Sequence, residues 1–392
     1  MIPDLRAKYN AEFSQSAYNN FLADLNSTVR YPADFRVSET PIFISEELKN
    51  ELIRAGDQII SQLSTEEFRK HSLNAIPSEL NVPGENSHPL FLQIDFAICK
   101  NDFGNYVPML IELQGFPSLY GYQFLLNQKF RKHFSIPDNF SAFFNNLDFD
   151  SYQILLKNTL IGNHDPENVI LMEISPDEQK TRIDFAVTEK LTGIKTVDIQ
   201  EIFQKDKKLF YEKERKRIRI ERIYNRVIFD ELQRKNLEIK FPIFDELKVE
   251  WAGHPNWFFR ISKHSLPFLK NVYNPNCFFL NDLKSYPEDL QNYVLKPLYS
   301  FAGHGVEVEL TKEFLDSVKD RNNYILQQKI KYAPLIKTLD VNSKVEIRMM
   351  YLWDKKPLLV NNLVRMSKGK MMGVDHNKNR TWVGSSIAYY KK

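Results

Sequence analysis

The period of apolar and polar positions changes several times along the chain, and each change predicts an element. Over residues 46–63 apolar side chains recur at helical spacing behind Ser45, a residue suited to capping a helix. Residues 91–98 (Phe-Leu-Gln-Ile-Asp-Phe-Ala-Ile) and 109–114 (Met-Leu-Ile-Glu-Leu-Gln) are instead apolar runs joined across a turn at 100–105, the mark of two antiparallel strands. Period two then puts Glu112 and Gln114 side by side on one face, with Asp95 able to meet them from the partner strand. Residues 168–173 read as a strand, 184–191 as a helix and 195–198 as a strand, a βαβ pattern that predicts a small parallel sheet. In the last third, a strand through Val294 and Leu295 ends at Lys296-Pro297, a glycine-bearing loop follows, and 306–310 alternates like a returning strand. A final hairpin is predicted from 345–352 and 357–365, turning at 354–356. There Glu346 and Arg348 share a face and Arg365 lies on the next strand. The pattern divides the chain into three regions, 1–160, 161–250 and 251–392, without repeats or low-complexity linkers.

Composition narrows the class. A chain of 392 residues with 43% hydrophobic content can fill the cores of two or three packed units. Its net charge is +3, from 53 basic and 50 acidic residues, so no global field draws it to nucleic acid or anionic lipid. The first ten residues lack an apolar signal core, and no window approaches the ~20 apolar residues of a membrane span. A cytoplasmic protein with no nucleic-acid or membrane partner is expected. Cys99 and Cys277 are too few for a disulfide framework and lack zinc-ligand spacing. The basic run 213–222 is interrupted by glutamates, and Ile218, Ile220 and Ile223 give it a buried side, so it reads as a structural segment.

Three groups of residues carry candidate chemistry, each with a plainer alternative. The tip after Lys296, with Ser300, Gly303, His304, Gly305 and Val306, can present backbone N–H groups to phosphate oxygens beside a mobile lysine charge, or be an ordinary turn. Asp95, Glu112 and Gln114 offer oxygens of the kind that suit magnesium, or they line the solvated face of a half-buried sheet. Arg348 or Arg365 can contact a transferring phosphoryl group, or form a cross-strand ion pair. Lys263 stands in the same position between binding and solvation. Of the histidines, His254, His264 and His304 lie near these segments without metal-ligand spacing, and His304 can touch phosphate. Asn377, Asn379 and Trp382 either face substrate or form a polar turn.

Together these residues resemble a circularly permuted ATP-grasp protein of the glutathionylspermidine-synthase-like kind, over roughly residues 31–384. The carboxylate strands come before the nucleotide lysines, as in permuted members, and residues 35–43 resemble their opening segment. The resemblance implies a mixed α/β (α+β) fold with the nucleotide between two antiparallel sheets. Residues 1–160 would carry the metal-binding strands, 161–250 a small pre-ATP-grasp-like parallel-sheet domain, and 251–392 the nucleotide-binding portion. It implies Asp95, Glu112 and Gln114 as magnesium ligands and Lys263 and Lys296 as the nucleotide lysines. It also implies the 300–306 tip at the phosphates, Gln327, Gln328 and Lys329 at the adenine hinge, and Arg365 at the transferred phosphate; Arg348 remains a candidate from the strand geometry alone. ATP and Mg2+ are the implied cofactors. The implied activity is an ATP-dependent carboxylate–amine ligase that passes through an acyl phosphate, with the 299–305 loop as a lid. Its partners would be small-molecule acids and amines: amino acids, peptides or polyamines. Residues 223–226 would border the ligand cleft.

Two positions depart from that pattern. Gln114 replaces the usual asparagine of the metal site, and Gln93 replaces an arginine two residues before the aspartate. Glutathione and spermidine specificity therefore do not carry over, and neither does an amidase activity, for which no suitable nucleophilic cysteine arrangement is visible. An ATP-grasp-derived nucleotide-binding or scaffold protein without turnover is the alternative reading.

Overall fold

The computed structural model describes residues 1–235, 237–299, 305–369, 372, 377 and 379–392. Its centre is a five-stranded antiparallel sheet in the order β17-β16-β15-β2-β3. The strands are β2 (Phe91–Lys100), β3 (Tyr106–Gln114), β15 (Lys344–Trp353), β16 (Pro357–Ser367) and β17 (Gly384–Ser386). Both hairpins expected from the sequence are present, and the sheet joins them: β15 pairs with β2, so strands more than two hundred residues apart become neighbours.

Alternation divides this sheet into two faces. Ile94, Phe96, Ile98, Ile347, Met349, Val364 and Met366 enter one hydrophobic core. The helix Glu46–Leu63 covers that core with Leu48, Leu52, Ala55, Ile59, Ile60 and Leu63. Its N-terminus is capped as predicted, the Ser45 hydroxyl accepting the Leu48 N–H at 3.4 Å. Gly56 in this helix faces the Tyr351 ring, where a Cβ would collide with the phenol oxygen.

Residues of the middle region build a four-stranded parallel sheet, β11-β10-β5-β6, from β5 (Val169–Glu173), β6 (Lys195–Asp198), β10 (Arg222–Asn225) and β11 (Glu250–Ala252). The predicted βαβ unit is its core, with the helix Arg182–Thr192 between β5 and β6 and Gly193 closing that helix at φ 84°. The basic run forms part of a three-stranded meander of β7 (Phe203–Lys205), β8 (Lys208–Lys213) and β9 (Lys216–Ile220). Lys213, Arg219 and Arg222 pair with Glu167, Glu221 and Glu250, while Ile220 and Ile223 are buried.

A second antiparallel sheet, β12-β14-β13, consists of β12 (Cys277–Phe279), β13 (Tyr293–Pro297) and β14 (Tyr324–Gln328). Among the described residues, the expected returning strand after the glycine-bearing tip is one bridge, Leu295 with Glu307, on the edge of β13 away from β14. A small sheet of β1 (Ile42–Phe43), β18 (Ala388–Lys391) and β4 (Phe140–Ser141) ties the chain's two ends together. No helix among the described residues is long and apolar enough to cross a membrane.

Candidate functional site

The second face of the central sheet is polar over part of its area, while Phe91, Met350, Leu352 and Leu363 at its other end enter a separate hydrophobic core. Cross-strand register sets Gln93 opposite Gln114, Asp95 opposite Glu112 and Arg348, and Glu346 opposite Arg365. Period two carries Gln93 with Asp95, Glu112 with Gln114, and Glu346 with Arg348 onto this face. One irregularity sharpens it. The β2–β3 register shifts between Asp95 and Phe96, leaving Ile111 as an extra residue. Strict alternation would place Leu110 beside Glu112; the bulge instead turns Leu110 into the core while Glu112 and Gln114 stay on the polar face.

The charges are organised around Asp95, which is 1% exposed. Arg348 clasps it with Nε to Oδ1 at 2.5 Å and Nη2 to Oδ2 at 2.7 Å, a two-pronged pairing that matches guanidinium to carboxylate. Arg365 donates to the same Oδ2. Arg348 Nη1 donates to Gln93 Oε1 at 2.9 Å, and Gln93 Nε2 is tied to the Ser118 carbonyl at 2.7 Å. Burial alone would raise the Asp95 pKa, but the two guanidiniums hold it below the usual value. Glu346 is buried too; it accepts the Tyr332 hydroxyl and lies 3.0 Å from Arg365 Nε. Its burial raises its pKa against the pull of Arg365. Glu112 is 3.8 Å from Arg348 Nη2, and it accepts the Gln114 side-chain N–H at 2.9 Å.

Two lysines approach the Glu112 end from different elements. Lys263, 7% exposed, opens a short helical turn (Lys263–Phe268) capped by the Ser262 hydroxyl. Gly115 lets this turn approach: its N–H donates to the Ile261 carbonyl at 2.8 Å, and a Cβ there would collide with the Trp257 carbonyl. Lys296 projects from β13, and its amino group lies 3.4 Å from the Ile111 carbonyl at the bulge. Loss of solvation lowers the pKa of both lysines, and Glu112 opposes the shift in each. Glu112, Gln114, Phe116, Phe258, Lys263 and Tyr299 border a cleft of about 20 Å³. That volume holds a water molecule.

Other expected residues are placed differently. Gln327 is buried, with Nε2 3.5 Å from the Leu110 carbonyl, so it lies between the two antiparallel sheets. The backbone N–H groups of Gln328 and Lys329 donate to the carbonyls of Asn276 and Asn292, and the Lys329 amino group donates to Gln291. Gly305 sits at φ 72°, where a Cβ would come within 2.9 Å of the Pro297 ring, and Val306 is half-buried. Ser300, Gly303 and His304 lie outside the described residues. His254 holds the Pro83 carbonyl at 3.2 Å, and His264 sits between Phe268 and Phe279, its pKa lowered to about 4 by burial. The Asn377 oxygen accepts from Ser367 Oγ and from the N–H groups of Lys368 and Gly369, and Trp382 packs on Phe13. Those contacts give both a structural task.

Sequence reasoning flagged residues 223–226 but missed what meets them. At the carboxyl ends of β5 and β10, adjacent strands whose connections run in opposite directions across the sheet, Glu173 and Arg226 are both buried. Arg226 Nε and Nη1 make no hydrogen bond among the described residues, and its guanidinium stands over the Phe116 and Phe185 rings. Burial lifts the Glu173 pKa to about 8, against the pull of Arg226. A charged residue ending a wholly apolar strand was the available signal.

The polar sheet face, the second antiparallel sheet against it and the neighbouring parallel sheet make a mixed α/β protein with several antiparallel sheets, consistent with an ATP-grasp-like fold. The solved structure of a glutathione synthetase-like effector from Globodera pallida, in its apo form, is similar in fold. The TM-score is 0.56 at 11% identity, over 100% of this chain and 98% of that one. No protein-family model and no curated protein matches the sequence.

Proposed function

We propose that this chain is an ATP- and magnesium-dependent carboxylate–amine (peptide-type) ligase that acts through an acyl phosphate and releases ADP and phosphate. The observation that carries the reading is the meeting of Lys263 and Lys296, from separate elements, with Glu112 on a polar sheet face that also bears Arg365. The likeness in fold to a glutathione synthetase-like protein supports it. So does the chain order, carboxylate strands before lysine strand, which is the permuted order of glutathionylspermidine-synthase-like proteins.

In this reading ATP enters between the central sheet and the β12-β14-β13 sheet, and its phosphates meet Lys263, Lys296 and the 300–306 tip. The cleft of about 20 Å³ between the end of β3, the 258–263 turn and Leu298–Tyr299 must open first. The substrate carboxylate attacks the terminal phosphate, ADP leaves, and an amine displaces phosphate from the acyl phosphate. Arg365 faces the phosphoryl group and stabilises its charge. The unpaired N–H groups of Arg226 suit a carboxylate of the acid substrate. Closure over the cleft excludes the water that would hydrolyse the intermediate.

Magnesium fits the expected ligands only in part. Glu112 and the Gln114 amide oxygen can take a hard cation, whereas both Asp95 oxygens are held by guanidiniums. Among the described residues no group of three or more Asp, Glu, His or Cys side chains is arranged to hold a metal. When bound, the ion supplies positive charge to the phosphates. The engagement of Asp95 also favours a second reading, an ATP-grasp-derived nucleotide-binding or scaffold protein without turnover.

Release of ADP and phosphate from ATP, against a panel of amino acids, short peptides and polyamines, separates the two. A ligase gives stimulated release, a product mass equal to condensation of two panel members, and loss of both in Glu112→Ala and Lys296→Ala. Nucleotide binding without release across the panel supports the scaffold, and no nucleotide binding overturns both. A cytoplasmic location and the absence of nucleic-acid and membrane partners belong to the same proposal.

A further inference from the structure

We infer that this site grips the phosphates of a nucleotide with protein cations alone, so that nucleotide binding needs no divalent cation. The inference rests on the nucleotide-binding half of the reading above.

In a site built around magnesium, carboxylates face the phosphates and repel them until the ion intervenes. Here guanidiniums already occupy that place. Asp95 Oδ1 receives Arg348 Nε, and Oδ2 receives both Arg348 Nη2 and Arg365 Nη2. Arg348 is fixed at its other end by Gln93, which is itself anchored on the Ser118 carbonyl. A metal ion could reach Asp95 only by displacing arginines from a buried carboxylate, which would strand charge in a poorly solvated setting. Glu346 is closed in the same way by Tyr332 and Arg365.

Glu112 is thus the carboxylate left facing the cleft, and a Gln114 N–H donates to one of its oxygens. Magnesium bound there would be held chiefly by the phosphates and would add little to the protein's hold on them. The charges agree. Among the described residues, Lys263, Lys296, Arg348 and Arg365 stand around Asp95, Glu112 and Glu346, formally four cations against three carboxylates.

Titration calorimetry of the full chain with ATP and with inorganic triphosphate, in excess EDTA and in excess magnesium chloride, tests this. ATP affinity in EDTA is expected to stay within about threefold of that in magnesium. A larger loss in EDTA overturns the inference and leaves the ligase reading standing, whereas no ATP binding in either buffer overturns both. Gln114→Glu supplies a second open carboxylate beside Glu112, where the described residues offer one. With its fold verified by circular dichroism, this variant is expected to lose about tenfold in EDTA and to recover in magnesium. If it binds equally well in both buffers, the open donor set is not what governs metal use, and the inference fails.

Discussion

Asp95 and Glu112 face each other across one strand pair, yet their surroundings assign them different work. Asp95 is locked between two guanidiniums, and Glu112 looks into a cleft lined by Lys263, with the Lys296 charge also acting on it. Removing one partner of a buried pair leaves an uncompensated charge, so Arg348→Met is expected to destabilise the chain by about 3–5 kcal/mol in urea unfolding. A loss below about 1 kcal/mol would mean that Arg365 alone anchors Asp95. Glu173 gives a pH signature. Its folded pKa, about 8, lies above the ordinary carboxyl value of 4.5, so the folded state holds the proton more tightly. The resulting stability is fully present below pH 4.5 and is lost as pH rises through 8. Glu173→Gln should flatten that decline and be more stable than the natural chain above pH 8 by at least about 1 kcal/mol. Equal slopes in melting temperature against pH would rule out Glu173 as the source.

At the scale of elements, close approach and irregular pairing do what regular periodicity could not. Gly56 admits the Tyr351 ring against the helix Glu46–Leu63, and Gly115 admits the Lys263 turn against the end of β3. Gly56→Ala is expected to cost about 1–3 kcal/mol from overpacking, read as a lower midpoint in urea with an unchanged slope. Gly115→Ala should act on the site as well. Pushing the Trp257–Ile261 backbone away moves Lys263, so nucleotide affinity should fall about tenfold or more while urea stability changes by about 1–3 kcal/mol. Lost stability with intact affinity would separate Lys263 from the binding site. The bulge at Ile111 has the same kind of consequence, since it aims a backbone carbonyl at Lys296 and keeps Glu112 out of the core.

For the whole molecule, the hairpins at 91–114 and 344–367, the capped helix and the βαβ unit were legible in the amino-acid order. Each is a local pattern: a period, a cap or a turn between apolar runs. The candidate residues on β2, β3, β15 and β16 could be named for the same reason, because period two fixes which neighbours share a face. What local pattern could not convey was the pairing of β15 with β2, a contact between segments about 250 residues apart. That pairing puts Arg348 onto Asp95, whose carboxylate also receives Arg365. It also lay beyond local pattern that Arg226 and Glu173 lie at adjacent strand ends, and that, among the described residues, the returning strand after Lys296 would shrink to the Leu295–Glu307 bridge. Strand period and helix capping are properties of a few consecutive residues, so the chain's order determined them outright. Charge pairing and burial depend on which distant strands share a sheet, and folding the whole chain decided them.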